Sequence, residues 1–135
     1  MAPLRIGRLG ERLAQAYLVA HGYRIVAHSW RLGRFGEIDL IARRRGILAF
    51  VEVKTRRSDR YGPPEEAVHA GKQKRILRLA EAFLASLAPD SRLHHLECRF
   101  DVIAVEMPFA GRWRVRHLAG CFDANSPSSR RRRTS

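Results

Sequence analysis

Glu37-Ile38-Asp39-Leu40-Ile41-Ala42, Arg43-Arg44-Arg45-Gly46 and Ile47-Leu48-Ala49-Phe50-Val51-Glu52-Val53-Lys54 follow one another directly in the chain. The first and third runs have the composition of strands, and the polar run between them reads as a tight turn. Together they predict a β-hairpin, with Gly46 supplying the permissive backbone position. If the turn spans Arg43 to Gly46, Ala42 pairs with Ile47. Asp39 then falls opposite Phe50, and Glu52 falls opposite Glu37. Opposed residues share a face and side chains alternate with period two, so Asp39, Glu52 and Lys54 project from one face. In this register Asp39 and Glu52 are diagonal neighbours, with backbones about 7–8 Å apart. A slip of one residue would turn Asp39 to the other face.

Asp39 lies between Ile38 and Leu40, and Glu52 between Val51 and Val53. Charge among apolar strand residues is costly unless it is wet, paired or metal-bound. Two convergent carboxylates suit a hard divalent ion that prefers oxygen ligands and keeps several waters, such as Mg2+ or Mn2+. Such an ion polarises a phosphodiester and acidifies a bound water. Lys54, next on that face, is placed to steady the attacking water or the charge developing on phosphorus.

Outward from the hairpin, residues 5–21 predict a helix with a buried stripe of Ile6, Leu9, Leu13, Tyr17 and Ala20, stopped by Gly22. Tyr23 to Trp30 predicts a strand. After the hairpin, Arg56 to Pro64 reads as a loop and Glu65 to Val68 as a short helical turn. Lys72 to Leu87 predicts a second helix, with Ile76, Ala80, Phe83 and Leu87 on its stripe. Cys98 to Val105 and Trp113 to Leu118 predict two further strands around a Pro108–Gly111 connection. The order is α-β-β-β-α-β-β, an α/β class in which a mixed sheet flanked by helices is the natural packing. Residues 1–123 are read as one domain. Residues 124–135, rich in Ser and Arg without apolar periodicity, are read as a disordered basic tail.

The 135 residues carry 26 Lys and Arg against 13 Asp and Glu, a formal charge of +13 that favours a polyanionic partner, nucleic acid first among them. The part before Arg130 to Arg133 is strongly basic on its own. No segment has the length of apolar residues needed to span a bilayer, and no signal-peptide pattern opens the chain. Cys98 and Cys121 lack any C-x-x-C pairing, so neither a disulfide framework nor a zinc knuckle is expected, and the expected compartment is the reducing cytoplasm.

Asp39 with Glu52-Val53-Lys54 resembles the D…(D/E)-x-K signature of the restriction-endonuclease-like (PD-(D/E)xK) nuclease superfamily. The run from Gly36-Glu37-Ile38-Asp39-Leu40-Ile41 to Phe50-Val51-Glu52-Val53-Lys54-Thr55-Arg56 is similar to the bacterial YraN-like family within it. Gly7 to Gly10 with Glu11, the Lys72-Gln73 helix start and Arg99-Phe100-Asp101-Val102 also match, so the resemblance covers roughly residues 5 to 118. It implies a restriction-endonuclease-like fold similar to Holliday-junction resolvases. It places Asp39, Glu52 and Lys54 in the catalytic positions. Glu11 would be a first-helix carboxylate added to the metal ligands Asp39 and Glu52, and Gln73 a supporting residue on the second helix. A Mg2+- or Mn2+-dependent endonuclease acting on DNA is the function it implies, and a homodimer is a further implication of the resolvase-like relatives.

Plainer readings stand beside these. A cross-strand salt-bridge ladder on a wet sheet face would place the same three side chains together. Glu11 lies about 160° around the helix from the centre of the Leu9–Leu13–Tyr17 stripe, which predicts a solvated residue. Lys72 and Gln73 are ordinary residues for a helix start. His94 and His95 are adjacent, point apart and read as exposed loop residues. Arg43-Arg44-Arg45 is a candidate phosphate grip at the hairpin tip, Trp30 and Trp113 candidate base-stacking or core residues, and Asp101 a buried or arginine-paired carboxylate with no assigned role. A non-catalytic nucleic-acid-binding module with the same fold is the competing function.

Overall fold

The computed structural model describes residues 3–56, 70–106 and 111–122. In chain order these form α1 (Pro3–Ala20), β1 (Arg24–Leu32), β2 (Gly36–Arg44), β3 (Ile47–Arg56), α2 (Ala70–Ser86), a 3-10 turn (Arg92–His95), β4 (Glu97–Glu106) and β5 (Arg114–Phe122). The strands make one sheet in the order β1-β2-β3-β4-β5. Neighbours are antiparallel except β3 and β4, which run parallel. Parallel neighbours cannot be joined by a tight turn, and α2 lies in the crossover between them. The expected α-β-β-β-α-β-β order and the mixed sheet flanked by helices are both present. The Glu65–Val68 turn and the 124–135 tail lie outside the described residues.

Each helix covers one face of the sheet. Ala14 and Leu18 of α1 pack with Leu40, Ala42, Ala49, Val51, Ile103 and Val105. On the other face Ile76, Leu79, Ala80 and Phe83 of α2 pack with Ile38, Ile41, Leu48, Phe50, Phe100 and Val102. β3 is therefore buried on both sides, as a strand with a parallel neighbour usually is, and its alternation is strict. Leu48 and Phe50 face α2, whereas Ala49 and Val51 face α1. The same period carries Val53 toward α1 and Glu52 and Lys54 toward α2.

The structure corrects the stripe expected on α1. Its buried residues are Ile6, Gly10, Ala14 and Leu18, with Leu9, Leu13 and Tyr17 only half-buried at the side. The helix turns its small residues to the sheet because they permit close approach. A Cβ at Gly10 would overlap Thr55 Oγ1 and lie 3.0 Å from both Thr55 Cβ and Cγ2. This rotation leaves Glu11 about 80° from the centre of the buried stripe, on the flank of the sheet rather than in open water. The helix ends as expected at Gly22 (φ +86), where Gly22 N–H donates to Val19 O and Tyr23 N–H to Leu18 O.

Gly10 yields a test. In an unconstrained helix, Gly to Ala would stabilise by roughly 0.5–1 kcal/mol. Gly10→Ala is expected instead to destabilise by about 1–3 kcal/mol, because the overlap forces α1 off β3. A urea melt of the variant reads the sign, and a gain in stability would contradict this packing.

The hairpin register is also corrected. The β2–β3 ladder runs from Arg44↔Ile47 to Leu40↔Val51. Only Arg45 and Gly46 form the turn, and Arg45 (φ +52), not Gly46, takes the left-handed position. The turn is thus two residues shorter than expected. The pairing shifts by an even step, so the faces survive while the partners change. Asp39 no longer opposes Phe50, nor Glu52 Glu37. Asp39 instead lies one step beyond the last ladder pair, across from Glu52.

Candidate active site

Beyond Leu40↔Val51 the ladder stops, and a side chain takes over its role. Asp39 Oδ2 accepts the Val53 N–H at 2.8 Å. A carboxylate thus occupies the place of a backbone acceptor and is fixed beside the Glu52–Lys54 segment. Burial, then the charge of Glu52, push the Asp39 carboxyl up to about 7 against the lowering hydrogen bond from Val53, with Glu11 and Glu37 adding to the rise.

Glu52 is the hub. Its side chain is 12% exposed, and its Oε1 meets Lys54 Nζ at 3.3 Å and Lys72 Nζ at 2.6 Å. Lys54 comes from the same strand. Lys72 comes from the first turns of α2, so the helix start is brought to the sheet at this point. Burial, then the neighbouring Lys72, lower the Lys54 pKa. Burial also pulls on Lys72, but its hydrogen bond to Glu52 and the charges of Glu52 and Asp39 outweigh that and raise it.

Glu11 sits in the same electrostatic field. Burial raises its pKa, followed by Glu37, with His28 opposing and Glu52 adding to the rise. Glu37 also pairs with Arg31 at 3.1 Å. Among the described residues no three His, Cys, Asp or Glu side chains are arranged to hold an ion by themselves. The carboxylates that could hold an ion here are Asp39 and Glu52, with Glu11 in their electrostatic field. Gln73 is half-buried in the first turns of α2, one residue from Lys72. The structure thus brings Asp39, Glu52 and Lys54 together, leaves Glu11 within electrostatic reach and carries Gln73 on α2, next in sequence to Lys72.

The donor chemistry suits a hard divalent cation. Two carboxylates are held near each other in a half-dry place where their charges repel, and the site already draws two ammonium groups onto one of them. A cation that keeps several waters needs only one or two protein carboxylates.

Other candidates fall elsewhere. Arg43, Arg44 and Arg45 stand at the far end of the hairpin, about six to eight strand steps of about 3.3 Å from Lys54, too remote to act on the same phosphate. Arg44 lies over the Tyr23 ring, 5.5 Å from its centroid. Trp30 packs edge-on against Phe83 with ring centroids 5.5 Å apart, and Trp113 packs beside the α1 core. His94 belongs to the 3-10 turn, its Nε2 3.0 Å from Ala88 O. Cys98 and Cys121 are not in a disulfide, and the Cys121 S–H donates to Leu118 O at 2.8 Å.

Sequence reasoning treated Lys72 as an ordinary helix residue, because nothing local signals a partner twenty positions away. It also gave Asp101 no role. Asp101 is 1% exposed and is held by Arg99, His117 and the Gly120 N–H. The one signal was its position inside the apolar run of β4.

The raised Asp39 carboxyl predicts a pH dependence. Its folded pKa, about 7, lies above the ordinary 3.8. The group favours the fold below its unfolded pKa, and that contribution is lost as pH rises through the folded value. One pKa unit is about 1.4 kcal/mol, so Asp39→Asn is expected to stabilise the metal-free protein at pH 8 by about 1–3 kcal/mol and to change little at pH 4. Thermal melts in EDTA at the two pH values read this. Equal effects at both would show that Asp39 is not held against its charge.

A family model described as "Uncharacterised protein family UPF0102" matches residues 10–105. A UPF0102 protein of Symbiobacterium thermophilum is 51% identical over 120 residues, covering 89% of this chain and 98% of the relative. One of Chlorobium phaeobacteroides is 48% identical over 103 residues, 76% of this chain and 77% of the relative. One of Rhodococcus jostii is 44% identical over 119 residues, 88% and 97% of the two chains. The matched residues include Glu11, Asp39, Glu52, Lys54, Lys72 and Gln73.

Proposed function

The chain belongs to the UPF0102 family, and from the residues of its own site we propose that it is a metal-dependent endonuclease that hydrolyses phosphodiester bonds in DNA, branched or structured DNA included. The observation that carries the reading is the fixing of Asp39 by Val53 N–H across from Glu52, with Lys54 on Glu52. Asp39 and Glu52 would hold Mg2+ or Mn2+, with Glu11 acting from the margin. When bound, the ion supplies Lewis-acid polarisation of the phosphoryl oxygen and a more acidic water. Lys54 holds a proton at Nζ and offers it as a hydrogen bond to the attacking water or to the charge developing on phosphorus. Gln73 supports the site from α2. The net charge of +13 gathers the phosphate backbone. A branched substrate has two strands to cut, so a second copy of the chain is the partner this reading implies.

One observation favours the alternative, a nucleic-acid-binding module without catalysis. Two lysines already neutralise Glu52. Cleavage assays separate the two. Single-stranded, duplex and four-way-junction DNA are incubated with the protein and Mg2+ or Mn2+. Cleavage that needs the ion and disappears in Glu52→Ala supports the nuclease. Equal trace cleavage by wild type and variant, with DNA binding that survives EDTA, supports the binding module.

No described helix is long and apolar enough to cross a membrane.

A further inference from the structure

We propose that Lys72 is a cationic gate: it holds Glu52 in the metal-free protein and turns to the substrate's phosphate backbone when a divalent ion takes Glu52. The inference rests on the nuclease reading above and adds a residue and an order of events to it.

Glu52 Oε1 carries two ammonium groups, and the closer is Lys72 at 2.6 Å, against 3.3 Å for Lys54. A divalent ion held by Glu52 would place two positive charges beside the carboxylate on which Lys72 already sits. The two side chains are alike in stem and in exposure, 28% for Lys54 and 26% for Lys72, and either can swing toward solvent without moving the backbone. They differ in where they start and in how close they sit: Lys54 rises from β3, at Lys54↔Ala104 of the parallel ladder, whereas Lys72 reaches across from α2 and makes the shorter contact.

The charges set the order. Without metal, the two lysines balance the ionised Asp39 and Glu52. A divalent ion makes the site strongly positive and repels the ammonium nearest to it. A phosphodiester then supplies the anion that the displaced Lys72 needs. Metal and DNA binding are thereby coupled, each favouring the other, and the coupling is reciprocal. Metal alone displaces Lys72 at a cost in affinity, and DNA lowers that cost.

Lys72→Met keeps the stem and removes the charge, and Lys72→Arg keeps the charge. Titration calorimetry with Mn2+ at pH 8, on the full chain without DNA, is expected to show about tenfold tighter binding by Lys72→Met and near-wild-type binding by Lys72→Arg. Anisotropy of a labelled four-way junction, with and without Ca2+ as an oxygen-seeking ion, is expected to show metal-enhanced affinity in the wild type. In Lys72→Met that enhancement should shrink by about tenfold. Unchanged or weaker Mn2+ binding by Lys72→Met overturns the gate and leaves the nuclease reading standing. Equal tightening by Lys72→Arg also overturns it, since charge would then not be the cause. Absence of Mn2+ binding by folded wild type and folded variants removes the gate and the nuclease reading together.

Discussion

Exchanging Asp101 for alanine is expected to lower the unfolding free energy by about 3–5 kcal/mol, the cost of breaking an ion pair whose carboxylate is buried. Asp101 Oδ1 accepts from Arg99 Nε at 2.9 Å and from Gly120 N–H at 3.0 Å, and Oδ2 accepts from Arg99 Nη2 at 2.8 Å. His117 Nε2 lies 2.7 Å from Oδ2. Arg99 Nη2 goes on to Tyr23 O–H, and the His117 ring stands edge-on to Tyr17 at 5.4 Å. One carboxylate thus ties β4 to β5, and through Tyr23 to the turn that follows α1. It sits where the β4–β5 register breaks between Phe100 and Val102, so its side chain replaces the missing ladder bonds.

Burial alone would raise the Asp101 pKa. His117, Arg99 and the Gly120 N–H outweigh it and hold the carboxyl below its usual range. Its contribution is therefore present above the ordinary carboxylate pKa and lost as acid approaches the lowered folded value. Guanidinium melts at pH 7 read the effect, with an unchanged slope. A loss under 1 kcal/mol would mean that the network is ornamental to stability.

Glu52→Gln is expected to cut metal-dependent cleavage by roughly a thousandfold or more, and Lys54→Met by roughly a hundred- to a thousandfold, the range found when a charge-stabilising donor is removed from a site. The two separate in binding. Glu52→Gln loses an ionised ligand, so Mn2+ affinity should fall at least about tenfold, within the range of 10–100-fold reported for losses around metal sites. Lys54→Met removes no ligand and takes an ammonium off Glu52, so it should not weaken Mn2+ binding. Single-turnover rates at saturating metal, with calorimetry on the same samples, give both numbers. Equal losses of rate with no difference in metal binding would place Glu52 outside the metal site.

Much of this was legible in the sequence, and the parts that were not have physical reasons. The face shared by Asp39, Glu52 and Lys54 follows from the period of two, and it survived an error in turn length because the error was even. The register itself depended on Arg45 accepting a left-handed backbone beside an available glycine, which residue preference argues against. The buried side of α1 was misread because hydrophobicity points to Leu9, Leu13 and Tyr17. The close approach of α1 to Thr55 needs Gly10, and space rather than apolar area set the rotation. That rotation also moved Glu11 from open water to the edge of the site. The Lys72–Glu52 and Asp101–His117 pairs join distant segments and leave no local pattern.

The central claim is that Asp39 and Glu52 share one divalent ion. Anomalous diffraction from crystals soaked in Mn2+ tests it most directly. The expected map has one strong peak within about 2.0–2.6 Å of an oxygen of each carboxylate, the range for hard divalent ions on oxygen, with Lys72 turned away from Glu52. A map with no peak there, and Lys72 still seated on Glu52 at saturating Mn2+, would contradict it.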